Sequence, residues 1–450
     1  MAKTRDMTTG SPTRHLILFC LPIMAGNAFQ QLYSLVDSFV VGQVSVDALT
    51  AVASAGWLDW LIMSIAMGLA QGFGIQIAQS FGAADHDELH RAVGQSLLLS
   101  AITVVTVEII AQVFLWPMLL AMEMPQQTIR MTESYLRIIY AGIPVVMGFN
   151  LFSGFLRAVG NSTTPLLAMV AASITNIVLD VLFVMGFHWG VEGAAIATMS
   201  GQLLSCVICL IAVIRTPVLR ISRKDLCFDG KMCARLMKLG TPIAFQNLII
   251  SIGGLALQRV VNTFRYAFVA GFNAASRLVG LIELAGASLG NAVGTFAGQN
   301  LGAGRLDRVK LGMRRAAQLG VLFGVIIAAV MILFGEGLLS LFLTDVDALK
   351  VAETLEVAYL YLVVMSLGLP MLYLLFGYRT TLQGIGDTFI PMVSGFVELV
   401  MRILCAVVLP LFMGEWGIYL SEIAAWVGAA ILLIWGYYYR MRQLERKMAK

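Results

Sequence analysis

Ser173-Ile-Thr-Asn-Ile-Val-Leu-Asp180 places Asn176 and Asp180 inside an otherwise apolar run from Pro165 to Phe187. The two polar residues are four apart, so a helix puts them on one face, one turn apart. The run is 23 residues long, enough to cross a bilayer's hydrocarbon core at about 1.5 Å per residue. A carboxylate there has lost its water, which costs at least about 2.5 kcal/mol. A partner, a proton or a bound cation must offset that cost, and the rest of the chain reads as a scaffold around this aspartate.

Composition supports the membrane reading. The 450 residues are 59% hydrophobic and 12% charged, with a mean hydropathy of +0.85. That apolar content exceeds what a soluble domain needs and predicts an all-α polytopic membrane protein. Residues 1–14 are polar and basic, and the apolar run behind them is too long for a cleaved signal sequence. Twelve spans are expected: 15–41, 48–79, 93–118, 134–156, 165–187, 191–214, 238–264, 268–299, 315–343, 357–378, 389–411 and 417–439. Of the 30 Lys and Arg, 23 fall in the tails and the loops on one side, 5 on the other, and Arg277 and Arg402 lie within spans. That bias puts both termini in the cytoplasm of a plasma (inner) membrane protein.

An internal repeat organises the chain. A shift of 220 residues sets Pro22 on Pro242, Asn27 on Asn247, and Gln79-Ser-Phe-Gly82-Ala83 on Gln299-Asn-Leu-Gly302-Ala303. A shift of 226 overlays Pro144 on Pro370, and Leu156 to Pro165 on Leu382 to Pro391. The expected architecture is therefore two pseudo-symmetric six-helix bundles around a central cavity. An N-terminal lobe (1–214) and a C-terminal lobe (238–450) are joined by a basic cytoplasmic linker (215–237).

Depth along the spans brings four polar residues to one level. Asp180 and Thr198 each lie about 10 Å from the outer ends of their spans and Asp37 about 6 Å, with Asn176 one turn deeper than Asp180. Two carboxylates in a dry pocket cannot both stay ionised without a cation between them, so at least one binds a proton or an ion. The candidate coupling set is Asp37, Asn176, Asp180 and Thr198. Asp59 is near mid-membrane, where it either meets a cationic substrate or pairs with a buried arginine; Phe149, Phe152 and Phe155 recur at helical spacing as possible cavity lining. Glu398 with Arg402, and Arg277 with Glu283, can form structural ion pairs, while Glu108 and Glu422 stand isolated. Pro22 interrupts the first span's hydrogen-bond ladder below Asp37, and spans 5 and 6 are expected to run uninterrupted, so the first span is the expected moving part.

Other motifs carry no chemistry. Gly72-Phe-Gly74 lies in a span with no strand before it and reads as helix packing. His86 and His90 flank a glutamate at the wrong offset for a zinc protease, and Cys206 and Cys209 lack a second ligand pair. The cysteines suggest no disulfide framework, and Cys227 and Cys233 fall in the basic linker. No Walker loop, serine elbow or kinase set is present, which argues against an enzyme or an ATP-driven pump.

The chain resembles the multidrug and toxic compound extrusion family, in the branch named after DNA-damage-inducible protein F. The resemblance spans essentially all 450 residues. It rests on Leu21-Pro22 with Asn27 and Gln31-Leu-Tyr-Ser-Leu-Val-Asp37, Ala78 to Ala83, Arg157-Ala-Val-Gly160, Asn176 to Asp180, and Val191-Glu-Gly-Ala-Ala. It implies an exporter of amphiphilic, often cationic, molecules driven by inward H⁺ and/or Na⁺ gradients, with Asp37, Asn176, Asp180 and Thr198 as the cation site. Asn27, Gln31, Tyr33, Asp59, Phe149 and Phe152 are the candidate substrate-cavity residues, with Pro22 at a helix bend. No cofactor is expected, nor a metal beyond Na⁺ at that cluster. The expected partners are the small-molecule substrate and membrane lipid, not nucleic acid, and the chain is expected to act as a monomer. Another branch uses carboxylates on spans 7 and 10, but residues 240–264 and 357–378 contain no Asp or Glu. The competing reading is a lipid-linked precursor flippase of the same two-lobe plan, marked by Arg277 or Arg402 facing the central cavity.

Overall fold

The computed structural model describes residues 4–122, 124, 126–340 and 348–448. They form fourteen α-helices: α1 Pro12–Gly42, α2 Val46–Gly82, α3 His86–Ala121, α4 Gln126–Ala141, α5 Ile143–Ala158, α6 Thr163–Asp180, α7 Gly190–Arg215, α8 Gly230–Val261, α9 Tyr266–Gly302, α10 Leu306–Ser340, α11 Ala348–Gly384, α12 Phe389–Val408, α13 Pro410–Met413 and α14 Glu415–Met448. Eleven helical segments among the described residues are long and apolar enough to cross a membrane, and α4 with α5 makes a twelfth. These two meet at a 45° bend. The bend falls at Gly142 and Pro144, where proline lacks an N–H and clashes with the preceding turn. Helices α2 and α3 begin before the expected spans 2 and 3, at polar caps. Ser45 accepts from the Ala48 N–H at 3.0 Å and Asp85 from the Glu88 N–H at 2.9 Å. The expected end of span 9 at residue 343, and Lys450, lie outside the described residues.

Two compact units emerge. The first comprises residues 4–7 and Leu21–Ala244; the second comprises Thr8–Cys20 and the described residues from Phe245 onward. The divisions fall inside α1 and α8, next to the repeat-equivalent Pro22 and Pro242, rather than in the loop before α8. That loop is shorter than the expected 215–237 linker. It covers residues 216–229, and Lys231, Arg235 and Lys238 already lie on α8.

In the first unit α8 packs tightly on α2. A Cβ on Gly68 would sit 2.4 Å from Ala244 Cα, and one on Gly72 would sit 2.3 Å from Gly240 Cα. Small residues at i and i+4 on both helices allow this approach, which is the packing role expected of Gly72. Gln95 on α3 holds the following loop: its amide donates to the carbonyls of Asp225 (3.0 Å) and Cys227 (2.8 Å) and accepts from the Asp229 N–H at 3.1 Å. All six cysteines are free.

Candidate functional site

Three helices of the first unit each present a polar i, i+4 pair. Tyr33 and Asp37 lie on α1, Asn176 and Asp180 on α6, and Thr198 and Gln202 on α7. The pairs are tied together across the helices. The Asn176 side-chain amide donates to Thr198 Oγ1 at 3.4 Å, and that of Gln202 to the Tyr33 hydroxyl at 3.4 Å. Ser173 Oγ donates to the Phe29 carbonyl at 3.3 Å, stapling α6 to α1. Helices α6 and α7 approach closely because residue 201 is glycine: a Cβ there would stand 2.9 Å from the Ala172 carbonyl oxygen and 3.2 Å from Asn176 Cβ. The structure thus brings the expected Asn176 and Thr198 into contact, with Asp180 one turn along α6. Gln202 was not foreseen, although its spacing from Thr198 was a usable signal.

The chemistry of this site lies in its unpaired atoms. Asp180 is fully buried, Asn176 is 2% exposed and Asp37 8%. Both Asp180 carboxylate oxygens, and one oxygen each of Asp37, Asn176, Gln202 and Asp59, are buried without a hydrogen-bond partner among the described residues. All six are acceptors, so the site has an excess of lone pairs over donors. Asp37 lies within electrostatic reach of Asp180, and Tyr135 on α4 within reach of Asp37, Asp59, Asp180 and Tyr33. Among the described residues no group of three or more His, Cys, Asp and Glu could hold a metal ion.

One expectation is corrected here. Span 5 is not uninterrupted, because α6 gives way immediately after Asp180 to a π-helical turn, Val181–Gly186. Its i→i+5 bonds widen the helix and alter side-chain register. Val184 is buried in the core cluster that also holds Val40, Val41 and Val191, and Phe183 stacks with Phe187 and Trp189. A cavity of about 390 Å³ opens here, lined among others by Val44, Arg130, Ser134, Trp189 and Glu192. Val44 is seven residues beyond Asp37 and Val191 seven before Thr198, which places the cavity about 10 Å from the polar site.

The remaining expected residues are spread more widely. Pro22 sits inside a continuous α1. Asn27, Gln31 and Tyr33 are partly buried on the same helix. Asp59 makes no ion pair with any described arginine. Phe149 and Phe152 pack on a core cluster containing Phe73, Leu151 and Phe155.

The second unit differs. Glu398 pairs with Arg402 on its own helix (3.1 Å) and with Arg379 on α11 (2.7 Å), and Arg402 also binds Glu422 on α14 (2.9 Å). Sequence reasoning gave only the Glu398–Arg402 pair; it treated Arg379 as a loop residue and Glu422 as isolated. The expected Arg277–Glu283 pair does not form. Arg277 is exposed, and the electrostatic neighbours of Glu283 are Glu422, Arg402 and Glu398.

Comparison with known proteins follows the repeat. The family model described as MatE matches residues 22–182 and again 242–408, matches that begin 220 and end 226 residues apart. The probable multidrug resistance protein YoeA of Bacillus subtilis (strain 168) is 27% identical, over 98% of this chain and 97% of its own length. The probable multidrug resistance protein YpnP of the same organism is 31% identical, over 78% of this chain and 79% of its own. A crystal structure of MATE in complex with MaL6 shares the fold at a TM-score of 0.93, with 23% identity, covering 99% of this chain and all of that one. A sequence model matched once in each half, together with these relatives, places the chain in the multidrug and toxic compound extrusion (MATE) family of membrane transporters.

Proposed function

We propose that this transporter exports amphiphilic small molecules by alternating access, driven by inward movement of H⁺ or Na⁺ through Asp37, Asn176, Asp180 and Thr198. The observation that carries the reading is the set of buried acceptor oxygens without donors on α1, α6 and α7. Such oxygens are costly in a low-dielectric interior, and a proton or small cation removes the cost. In this reading an ion reaches them from the cavity beside Trp189 and Glu192. Ion binding neutralises the carboxylates and relaxes the ties through Phe29 and Tyr33, so α1 repacks and substrate affinity falls. The π turn after Asp180 and Pro22 on α1 are the natural places for this change. Coupling requires that the ion bind the two facing states unequally.

With the basic loops inside, both termini are cytoplasmic, and an inside-negative potential adds about 2.3 kcal/mol per charge per 100 mV. The multidrug names of the relatives support a drug-like substrate. The same names do not favour the flippase reading, and of its two marker arginines Arg402 is already occupied by Glu398 and Glu422. The chain works as a monomer and needs no cofactor. Efflux of ethidium from proteoliposomes, measured under proton and sodium gradients imposed separately, tests the proposal. One gradient should drive efflux by the wild type and neither by Asp180→Asn. Equal driven efflux by both proteins would refute the site.

A further inference from the structure

The C-terminal end of α14 carries a stripe of side chains outside the polar site. Trp435, Tyr439 and Arg442 are exposed and recur at i, i+4 and i+7, and the exposed Ile431 and Arg446 extend the stripe by one turn in each direction. Its chemistry is ordered along the helix: apolar Ile431 comes first, then the Trp435 and Tyr439 rings, stacked with centroids 5.4 Å apart, then two guanidinium groups. The opposite face packs into the second unit through Leu433, Gly436, Tyr437 and Met441. A Cβ on Gly436 would stand 2.6 Å from Ile390 Cγ2 of α12.

Two ion pairs fix this end of the helix. Arg440 meets Asp387, in the loop before α12, at 3.4 Å, and Glu445 meets Lys310 on α10. Arg442, Arg446 and Lys447 are exposed and make no hydrogen bond or ion pair with a described residue. A helical rise of about 1.5 Å per residue puts Arg442 about 5 Å and Arg446 about 10 Å beyond Tyr439. Aromatic rings at a membrane surface sit level with the lipid headgroups, so these guanidinium groups reach the phosphate layer. The first unit treats the end of its last helix otherwise. There α7 stops at Arg215, and the loop behind it folds back, with Leu219 in one core cluster with Cys209, Ala212 and Val213. In the second unit α14 runs on as helix to Met448, and its outer stripe is covered by no described residue.

We propose that this stripe binds an anionic phospholipid, with the phosphodiester held by Arg442, Arg446 and Lys447 and an acyl chain lying along Trp435 and Ile431. Guanidinium groups bind phosphate oxygens in pairs, and the Tyr439 hydroxyl and Trp435 N–H lie at the level of the lipid's ester groups. Charge selects the lipid class. The one carboxylate among these turns, Glu445, is taken by Lys310. A choline or ethanolamine headgroup would therefore bring its own cation against three others, whereas a glycerol headgroup leaves the phosphate charge uncompensated. The site lies apart from α1, α6 and α7, and it does not depend on the direction of transport or on the coupling ion.

The test titrates the purified full-length protein in detergent with phosphatidylglycerol and phosphatidylcholine of identical acyl chains, and reads bound lipid by native mass spectrometry. The wild type should prefer phosphatidylglycerol. Arg442→Gln, Arg446→Gln and Lys447→Gln together should weaken its binding about 100-fold, at about five-fold per basic side chain near an anionic headgroup, and erase the preference. Trp435→Ala should weaken both lipids and keep the preference. A control that removes equal charge elsewhere, Arg223→Gln with Lys224→Gln and Lys231→Gln, should bind as the wild type does. Both triple variants should unfold at the wild-type temperature without lipid, which separates lost charge from misfolding. A wild type without preference, or an α14 triple variant that keeps it, would overturn the site. A control that loses the preference equally would also overturn it, in favour of diffuse charge attraction. Competition by glycerophosphoglycerol, the headgroup without chains, at lipid concentrations would make this a site for soluble phosphates. A dimer abolished by Trp435→Ala would make the stripe a subunit contact, and either result removes the lipid.

Discussion

The two halves of the repeat spend the same scaffold differently. At the positions of Asp37, Asn176 and Asp180 in the first half, the second has Leu257, Arg402 and Ala406. Tyr135 keeps its counterpart in Tyr361, but Tyr33 becomes Gly253. That last exchange has a steric reason: a Cβ on Gly253 would lie 2.8 Å from an Arg402 guanidinium nitrogen. The glycine clears the space that the arginine fills. The first half keeps buried acceptors without donors, whereas the second joins Arg379, Glu398, Arg402 and Glu422 into one ionic chain. Buried unpaired donors occur in both halves, the Tyr140 and Ser100 hydroxyls in the first and Arg379 Nε and Gln246 Nε2 in the second. An open charge set can take up and release a cation; a closed one fixes helices. The repeat thus carries equivalent positions in both halves, with unpaired acceptors at those of the first and an ionic chain at those of the second.

The largest expected effect breaks the comparison at its responsive end. Asp180→Asn preserves size and much of the hydrogen bonding but cannot cycle a charge. Driven efflux should disappear, while thermal stability stays equal to or above that of the wild type, since the mutation removes a buried unpaired carboxylate. A large fall in Tm with efflux retained would reverse the roles of the two halves.

Glu398→Gln should do the opposite. It strips Arg379 and Arg402 of a shared carboxylate in a buried chain, where losing one partner typically costs about 3–5 kcal/mol. Tm should drop, and the protein that remains folded should keep its ion dependence of efflux. Loss of ion dependence at unchanged stability would make the second half part of the coupling machinery.

What was legible from sequence follows the range of the interactions involved. The helices, the two-fold repeat and the polar level of Asp37, Asn176, Asp180 and Thr198 could be read because each depends on spacing along one span. The Glu398–Arg402 pair was visible for the same reason, being i, i+4. Arg379 and Glu422 were missed because their partners lie 19 and 20 residues away on other helices, and no periodicity reports which faces meet. Tyr135 and Tyr140 were hidden by the bend at Gly142–Pro144, which places them on a separate helix from Phe149. The π turn after Asp180 leaves no sign in a sequence whose hydrophobic run continues through it.

A smaller effect sharpens the steric half of the comparison. Gly253→Ala should destabilise the wild type, since overpacking against Arg402 and Leu399 costs about 1–3 kcal/mol and outweighs alanine's helix preference of about 1 kcal/mol. In an Arg402→Met background the clash with the guanidinium is gone, and the same substitution should become neutral or stabilising. Chemical denaturation of the four proteins gives the coupling energy directly. Equal effects in both backgrounds would mean that Gly253 makes room for something other than Arg402.

The smallest effect concerns the loop between the halves, and it guards any pH series run on the first half. Asp225 is buried in that loop; burial pushes its pKa up, but the Ser222 backbone N–H (2.7 Å) and hydroxyl (2.8 Å) outweigh it and leave the carboxyl below its ordinary range. A group whose folded pKa is depressed contributes stability above its unfolded value, about 3.9, and loses it as pH falls through the lower folded value. Between pH 5 and 8 the contribution is therefore constant, and changes in drug or ion binding over that range do not report on this loop. Asp225→Asn should lower stability slightly and uniformly across pH 5–8, and the wild type should converge on it only below about pH 4. Tm profiles of both proteins check this. A gap that instead closed between pH 5 and 8 would show that the loop titrates in the working range, and a pH-dependent loss of substrate affinity could then no longer be assigned to the carboxylates of the first half alone.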